Sequence, residues 1–415
     1  MMIRRSVGFR ARAMVAGALL TACVAVPVAA QDGASILPAL KAAVANTVAD
    51  RSSPGGEPQA APAAAENPVL TFFKNTELTG FVDTYYSYNF NTPAKACATV
   101  GGVAIFNCLH NFDVAHNSFS LNLAELALEK KPTTDSRGGF RIDLDYGSAA
   151  GIVAGAEPGG TSLYQNIQQA YVSYLAPTKT GSLQFDFGKF VTPAGNEVIE
   201  TKDNWNYSRS LLFALAIPYY HMGMRAAYSP NDKVTVTGFL FNGWNNVVDN
   251  NTGKSVGVSI TGKPSAALAI TENYIGGPEI AANNSDWRHL SDTVLTYTAT
   301  PQVSVALNYD WAKELTSQWQ GIAAYLKYQP NAIFSVTPRY EYYKDRDGFT
   351  TGASQNLQEF TLTLEFKHKD GVMMRVEYRG DMSNTPYFLK NTIDIVKNQN
   401  ALTVGWVYAF SSKTP

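Results

Sequence analysis

Five charged side chains share one connection of the chain. Glu197, Glu200, Lys202, Asp203 and Arg209 lie within the run GKFVTPAGNEVIETKDNWNYSRSLLFALAIPYYHMG, between Gly188 and Gly223. Trp205, Tyr207, Phe213, Tyr219 and Tyr220 stand among them. Bond-breaking chemistry has no support in this pattern. There is no Gly-x-Ser-x-Gly elbow in the chain, and residue parity brings no Ser, His and polar orienter together on one outer face. Charges of both signs on an aromatic loop can instead set an electric field across a passage bounded by low-dielectric walls. The run leaves one strand-like stretch, Leu183 to Phe187, and enters another, His221 to Tyr228. It is far too long for a turn, and loops of this length in a compact β protein are either functional or disordered. Its aromatic and apolar content argues for order. The expectation is an ordered loop packed inside something hollow, pinned by Trp205, Leu211, Leu212 and Phe213. The plainer alternative is a surface loop with an ordinary apolar anchor, its Arg209 salt-bridged to a wall carboxylate.

Other residues that could do chemistry reduce to structural roles. Cys97 and Cys108 sit in one connection, Asn91 to Asn117, and in an exported chain they read as a disulfide closing a short loop. The histidines are His110, His116, His221, His289 and His368, and no two have the spacing of a zinc helix. His110 and His116 share the loop of the two cysteines, where a metal site is conceivable; no metal or other cofactor is expected. Thr252-Gly253-Lys254-Ser255 looks like the tail of a phosphate loop, but Val248 stands where the motif needs Gly and no helix follows. Asp249-Asn250-Asn251 lacks the spacing and the terminal Glu of a calcium loop, and reads as a tight turn.

The elements that must position these residues are strands. Phe140, Ile142, Leu144 and Tyr146 alternate with Arg141, Asp143 and Asp145. Period two with charge on one parity means a strand between an apolar and a wet environment. The same alternation places Asp83, Asp186, Arg225, Asp310, Lys327, Arg339, Glu341, Glu359, Glu365, Lys367, Arg375, Glu377, Arg379 and Asp381 on the wet face, with His221 beside them. Together with Arg141, Asp143 and Asp145, that set is roughly seven basic against ten acidic strand residues, a mixture that leans mildly to cations. In Phe119 to Glu129 the parity switches, which a bulge near Ala124 would explain. Pro338 inside a strand costs a ladder bond and leaves that register in doubt.

About sixteen such runs are present, joined by alternately short and long connections. The expected fold is an all-β transmembrane antiparallel barrel of about 16 strands over residues 77–415, with short periplasmic turns and long outer loops. Both chain ends then fall on the periplasmic side. A soluble β-sandwich also alternates, but it has about half as many strands, and its Tyr and Trp need not gather toward strand ends.

Residues 1–30 read as a signal peptide: Arg4, Arg5, Arg10 and Arg12, an apolar stretch to Val26, and Val28-Ala29-Ala30 before Gln31. The rival is a lipoprotein box at Leu20-Thr21-Ala22-Cys23. Loss of the segment removes four Arg and no acid, taking the formal net charge from -1 to -5. Nothing in that balance suggests nucleic-acid binding. Residues 31–76 are rich in Ala and Pro and form a periplasmic arm that cannot bury a core.

The opening run, continued by MRAAY and followed by FNGWNNVVDNNTGKSVG, resembles the β-barrel porins of the OmpL-like outer-membrane class. Gly188, Lys189, Gly195, Glu197, Asn206 to Ser210, Pro218, His221, Gly223, Asn242 to Trp244, Asp249 to Asn251 and Lys254 carry the likeness. A weaker likeness covers most of Leu78 to Phe410, and the Ser-Ser-Lys-Thr-Pro after Phe410 departs from the aromatic ending common in such barrels. The resemblance implies an outer-membrane barrel and a porin role. Its partners would be membrane lipid and small hydrophilic solutes or ions. The mechanism would be passive diffusion through a water-filled lumen. Val191 to Pro218 is the third outer loop, the one that commonly narrows porins of this size, with Glu197, Glu200, Lys202, Asp203 and Arg209 at the constriction. Homo-oligomers, trimers in particular, are common at this strand number. The alternative is a non-conducting barrel, an adhesin or envelope anchor whose arm binds a periplasmic partner.

Overall fold

The computed structural model describes residues 75–157 and 163–413. The segments read as a signal peptide (1–30) and a periplasmic arm (31–76) lie outside the described residues, apart from residues 75 and 76. Among the described residues there are twenty strands, and sixteen of them close a barrel. In chain order these are β1 (Glu77–Asn89), β4 (Ser118–Lys130), β5 (Gly138–Tyr146), β6 (Ile167–Ala176), β7 (Ser182–Val191), β8 (Tyr220–Asn231), β9 (Val234–Phe241) and β10 (Ser255–Ser265). They continue with β11 (Leu268–Pro278), β12 (Trp287–Thr300), β13 (Val303–Glu314), β14 (Ser317–Tyr328), β15 (Phe334–Asp345), β16 (Gln355–Lys367), β17 (Val372–Ser383) and β20 (Asn398–Ser411). Each pairs antiparallel with its neighbours in sequence, and β1 closes on β20 from Thr79 opposite Ser411 to Asn89 opposite Ala401. Closure leaves no unpaired edge, which is what allows a sheet to stand in a bilayer.

Alternation decides which way each side chain points. In β16, Phe360 and Leu362 are exposed on the outer surface while Glu359, Thr361 and Thr363 are buried inside. In β20, Leu402, Trp406 and Tyr408 face out, and Thr403 and Val407 face in. A closed wall with so continuous an apolar exterior is matched to lipid rather than to water.

Two local irregularities have physical causes. The register of β1 against β4 shifts between Asp83 and Thr84, opposite Leu123 and Leu121, so Asn122 is the extra residue. This bulge lies two residues before Ala124 and turns Glu125 inward. Pro338 stays within β15 and pairs with Leu362 of β16. On its other side the β14 ladder is interrupted between Arg339 and Val336, as the missing proline N–H requires.

Four short strands lie in the loops. The first outer loop carries the hairpin β2 (Ala98–Val100) and β3 (Val103–Ile105), and the last carries β18 (Phe388–Lys390) and β19 (Asp394–Val396). A helix, α1 (Ser148–Gly155), occupies the connection after β5 and packs against β4, β5, β2 and β3. Periodicity in the sequence signalled neither hairpin nor helix, because each is too short to show it.

Candidate functional site: a loop bonded to the inner wall

The connection from β7 to β8 turns into the barrel. Its course includes a 3-10 turn at Thr201–Asp203 and a π-helical turn at Leu212–Ala216. Phe190, Leu211, Leu212, Phe213, Ala216 and Tyr219 join Trp319, Tyr343 and Leu357 of the wall in one buried cluster. The apolar residues of the loop thus find their partners on the inward faces of strands far away in sequence. Two wall glycines make this approach possible. A Cβ on Gly405 would lie 2.3 Å from the Tyr207 ring, and one on Gly321 would lie 2.8 Å from a Leu212 methyl.

The polar groups of the loop match those of the wall by sign. Wall carboxylates accept from loop N–H groups. Glu377 accepts from Tyr207 N at 2.5 Å and Ser208 N at 2.8 Å, and Glu341 from Leu211 N at 3.0 Å and Leu212 N at 3.3 Å. Wall guanidiniums donate to loop carbonyls. Arg339 reaches Ser208 O at 2.7 Å, Arg375 reaches Thr201 O and Asn204 O at 2.6 Å, and Arg379 reaches Arg209 O at 2.7 Å. Asp83, across on β1, accepts from the Tyr207 hydroxyl at 2.8 Å and from Thr201 at 2.5 Å. Buried peptide groups must be paired, and in this loop the wall's charges do the pairing.

The five loop charges occupy different settings. Arg209 is 2% exposed. Its guanidinium donates to Val198 O at 3.2 Å, to Ile199 O, to Tyr207 O at 2.7 Å and to Thr201 Oγ1 at 3.0 Å, and lies 4.5 Å from the Phe112 ring centre. It therefore clasps the loop to itself. Glu197, also buried, accepts from Ser210 N at 2.6 Å and pairs with Arg339 at 3.0 Å. Glu200 accepts from Gln168 Nε2 at 2.5 Å; burial, with the Asp143 and Asp203 carboxylates nearby, pushes its pKa up. Lys202 and Asp203 pair with each other at 2.5 Å, and Asp203, with a side chain 55% exposed, is the most open of the five.

Most wall cations are likewise paired. Arg141 donates from Nε to both Asp143 oxygens at 2.9 Å. Asp145 and Glu125 face each other across β5 and β4. Arg225 donates to Asp186 at 2.7 Å and stacks over Tyr171 and Phe190. Arg339 also contacts Glu359 and Glu341, Arg375 pairs with Glu365, and Arg379 with Asp381. His221 lies 4.0 Å, ring to ring, from Phe241, with Nδ1 3.1 Å from Gly243 O.

Cys97 and Cys108 form a disulfide, with Cα atoms 5.9 Å apart. His110 and His116 do not converge on a common site. His110 bridges Asp113 at 2.7 Å and Asp381 at 2.9 Å, while His116 accepts from Asn89 N at 3.0 Å. Sequence reasoning gave no role to Asn111 and Phe112, which touch the third loop, or to Gly321 and Gly405. Glycines inside otherwise regular strands were the available signal for the latter pair.

The family model described as putative beta-barrel porin-2, OmpL-like, matches residues 75–410, and the chain belongs to that family. It is an outer-membrane β-barrel of the porin type. No curated protein sequence matches it. Among solved structures it is similar to the outer membrane channel DcaP of Acinetobacter baumannii, at 12% identity and a TM-score of 0.54, covering 81% of this chain and 97% of that one. The trimer form of OmpT from Vibrio cholerae gives 12% identity and a TM-score of 0.52, covering 81% of this chain and 99% of that chain. An anion-selective porin from Comamonas acidovorans gives 12% and 0.51 over the same shares. At these identities the likeness is one of fold.

Proposed function

We propose that this chain is a passive channel for small hydrophilic solutes and ions, narrowed by its third outer loop. The observation that carries the reading is the sign-matched bonding of Thr201 to Leu212 to inward side chains of β1, β15 and β17. A loop held along one side of the lumen leaves its free edge to border the passage. Lys202 and Asp203 stand on that edge and act directly on passing ions. Glu197, Glu200 and Arg209 act through the position of the loop. The mild cation lean of the wall is kept, since inward carboxylates outnumber inward cations. The trimer form known for OmpT supports a homo-oligomer here.

The test is single-channel recording of purified, detergent-folded protein in a planar bilayer, with reversal potentials in a salt gradient. Stepwise conductance with a modest cation preference is expected. Folded barrels that never conduct would favour a non-conducting adhesin or envelope anchor. Chemical cross-linking in native membranes tests the oligomer.

A further inference from the structure

The first outer loop reaches the third. Asn111 Nδ2 donates to Ala214 O at 2.8 Å and to the Tyr219 hydroxyl at 2.5 Å. Phe112 is fully buried, with ring centres 5.9 Å from Phe213 and 6.0 Å from Tyr219. On its other side lies the Arg209 guanidinium. The segment that presents these two residues is itself anchored from both ends. His110 bridges Asp113 and Asp381, Gln399 Nε2 donates to Cys108 O at 2.8 Å while its Oε1 accepts from Cys108 N at 3.2 Å, and the disulfide ties Cys108 to Cys97 at the foot of the β2–β3 hairpin. Arg209 holds the third loop closed on itself, and the Phe112 ring lies over its guanidinium. A guanidinium's hydrogen bonds to carbonyls are stronger where water is kept out, so the cover matters to the clasp.

We propose that Asn111 and Phe112 are positioning residues for the channel constriction, and that the disulfide-closed first loop is the part that holds them in place. The inference rests on the channel reading given above. Both cysteines line a cavity of about 580 Å³ that Leu215 of the third loop also borders. A small dithiol entering there supplies two electrons and two protons; the S–S bond breaks, two thiols form, and the dithiol becomes its own disulfide.

The experiment compares wild type, Asn111→Ala/Phe112→Ala and a control, Thr99→Ala in the exposed hairpin. Three readouts are taken: open-channel current and its noise, cleavage after Lys202 by trypsin added to the folded protein, and the heat-modifiable gel shift that reports barrel integrity. The double variant is expected to show higher, noisier current and new cleavage at Lys202 with an unchanged gel shift, and the control is expected to match wild type. Reduction of folded wild type with dithiothreitol, checked by thiol labelling, is expected to move current noise and cleavage in the same direction. Because reduction acts on an assembled barrel, it decides the matter even if the double variant does not fold. Current and cleavage like wild type in the folded variant, or unchanged cleavage after complete reduction, would overturn the proposal. A wild-type barrel that never conducts would refute the channel reading, and cleavage at Lys202 would still report whether the first loop positions the third.

Discussion

Arg209→Ala puts the central clasp to a direct test. The guanidinium serves three backbone carbonyls, those of Val198, Ile199 and Tyr207, and the Thr201 hydroxyl. Alanine leaves the Ile199 and Tyr207 carbonyls without their donor in a buried site, while Val198 O still accepts from Asn204 Nδ2 at 2.7 Å. An abandoned buried acceptor costs about 1–3 kcal/mol, so the two together come to about 2–6 kcal/mol. Water entering the vacated space recovers part of this, which makes the lower end the working figure. About 2 kcal/mol is roughly thirtyfold in the ratio of open to bound loop. The cost falls on the loop and not on the barrel, because none of the four bonds involves a strand residue. The variant should therefore fold with a normal heat-modifiable gel shift, while external trypsin cuts at Lys202 much faster and current noise rises. Arg209→Lys should be intermediate, since an ammonium has three donors but not the planar fork that meets diverging carbonyls. Trypsin resistance and current traces identical to wild type in Arg209→Ala would show that the wall contacts alone hold the loop, and the argument from the clasp would fall.

Four further outcomes follow from the same geometry. Leu364→Arg, on the outer face of β16, should cost about 2–4 kcal/mol if it lies near the bilayer midplane; Thr363→Arg, inside and bonded to Asn206 at 2.7 Å, should leave the barrel folded but displace the third loop, and equal urea midpoints would show the face assignment to be wrong. Gly405→Val should push Tyr207 off the wall and expose Lys202 to trypsin, with wild-type protection as the contrary result. His110 is held in the first loop with a pKa above its usual value: burial and Arg379 pull it down, but the Asp113 and Asp381 carboxylates outweigh them. The stabilisation is fully present below the ordinary histidine value and lost as pH rises through the raised one, so first-loop proteolysis should increase in alkali and His110→Gln should abolish that dependence. Glu272 of β11 points outward and accepts from Ser291 at 2.8 Å and Thr293 at 2.5 Å; Glu272→Leu should raise the urea midpoint of the lipid-reconstituted barrel, and a fall would show that these two hydrogen bonds outweigh the cost of setting a carboxylate against lipid.

The strands were legible because a wall between lipid and lumen imposes period two on nearly every residue, and Arg339, Glu341, Glu359 and Glu377 could be assigned to the inner face from parity alone. What each of them faces was not legible. Glu377 binds the N–H groups of Tyr207 and Ser208, and Arg375 the carbonyls of Thr201 and Asn204. Every residue carries such groups, so a sequence holds no mark of which backbone a side chain will meet. Parity also fails wherever the pleat is broken or the rule is locally violated: the bulge at Asn122 turns Glu125 inward, and Glu272 carries a charge on the lipid face. The charges of the third loop show the same limit from the other side. Their types and spacing identify a loop that must satisfy itself inside a wet, hollow structure, yet Arg209 and Asp203, six residues apart, end as a buried clasp and an open edge. The difference arises because Arg209 can reach three carbonyls of its own loop and the ring of Phe112, whereas Asp203 pairs with the neighbouring Lys202. On the proposed reading, selectivity rests on a few side chains left over after the loop has been secured, and the many charges that secure it fix where those few stand.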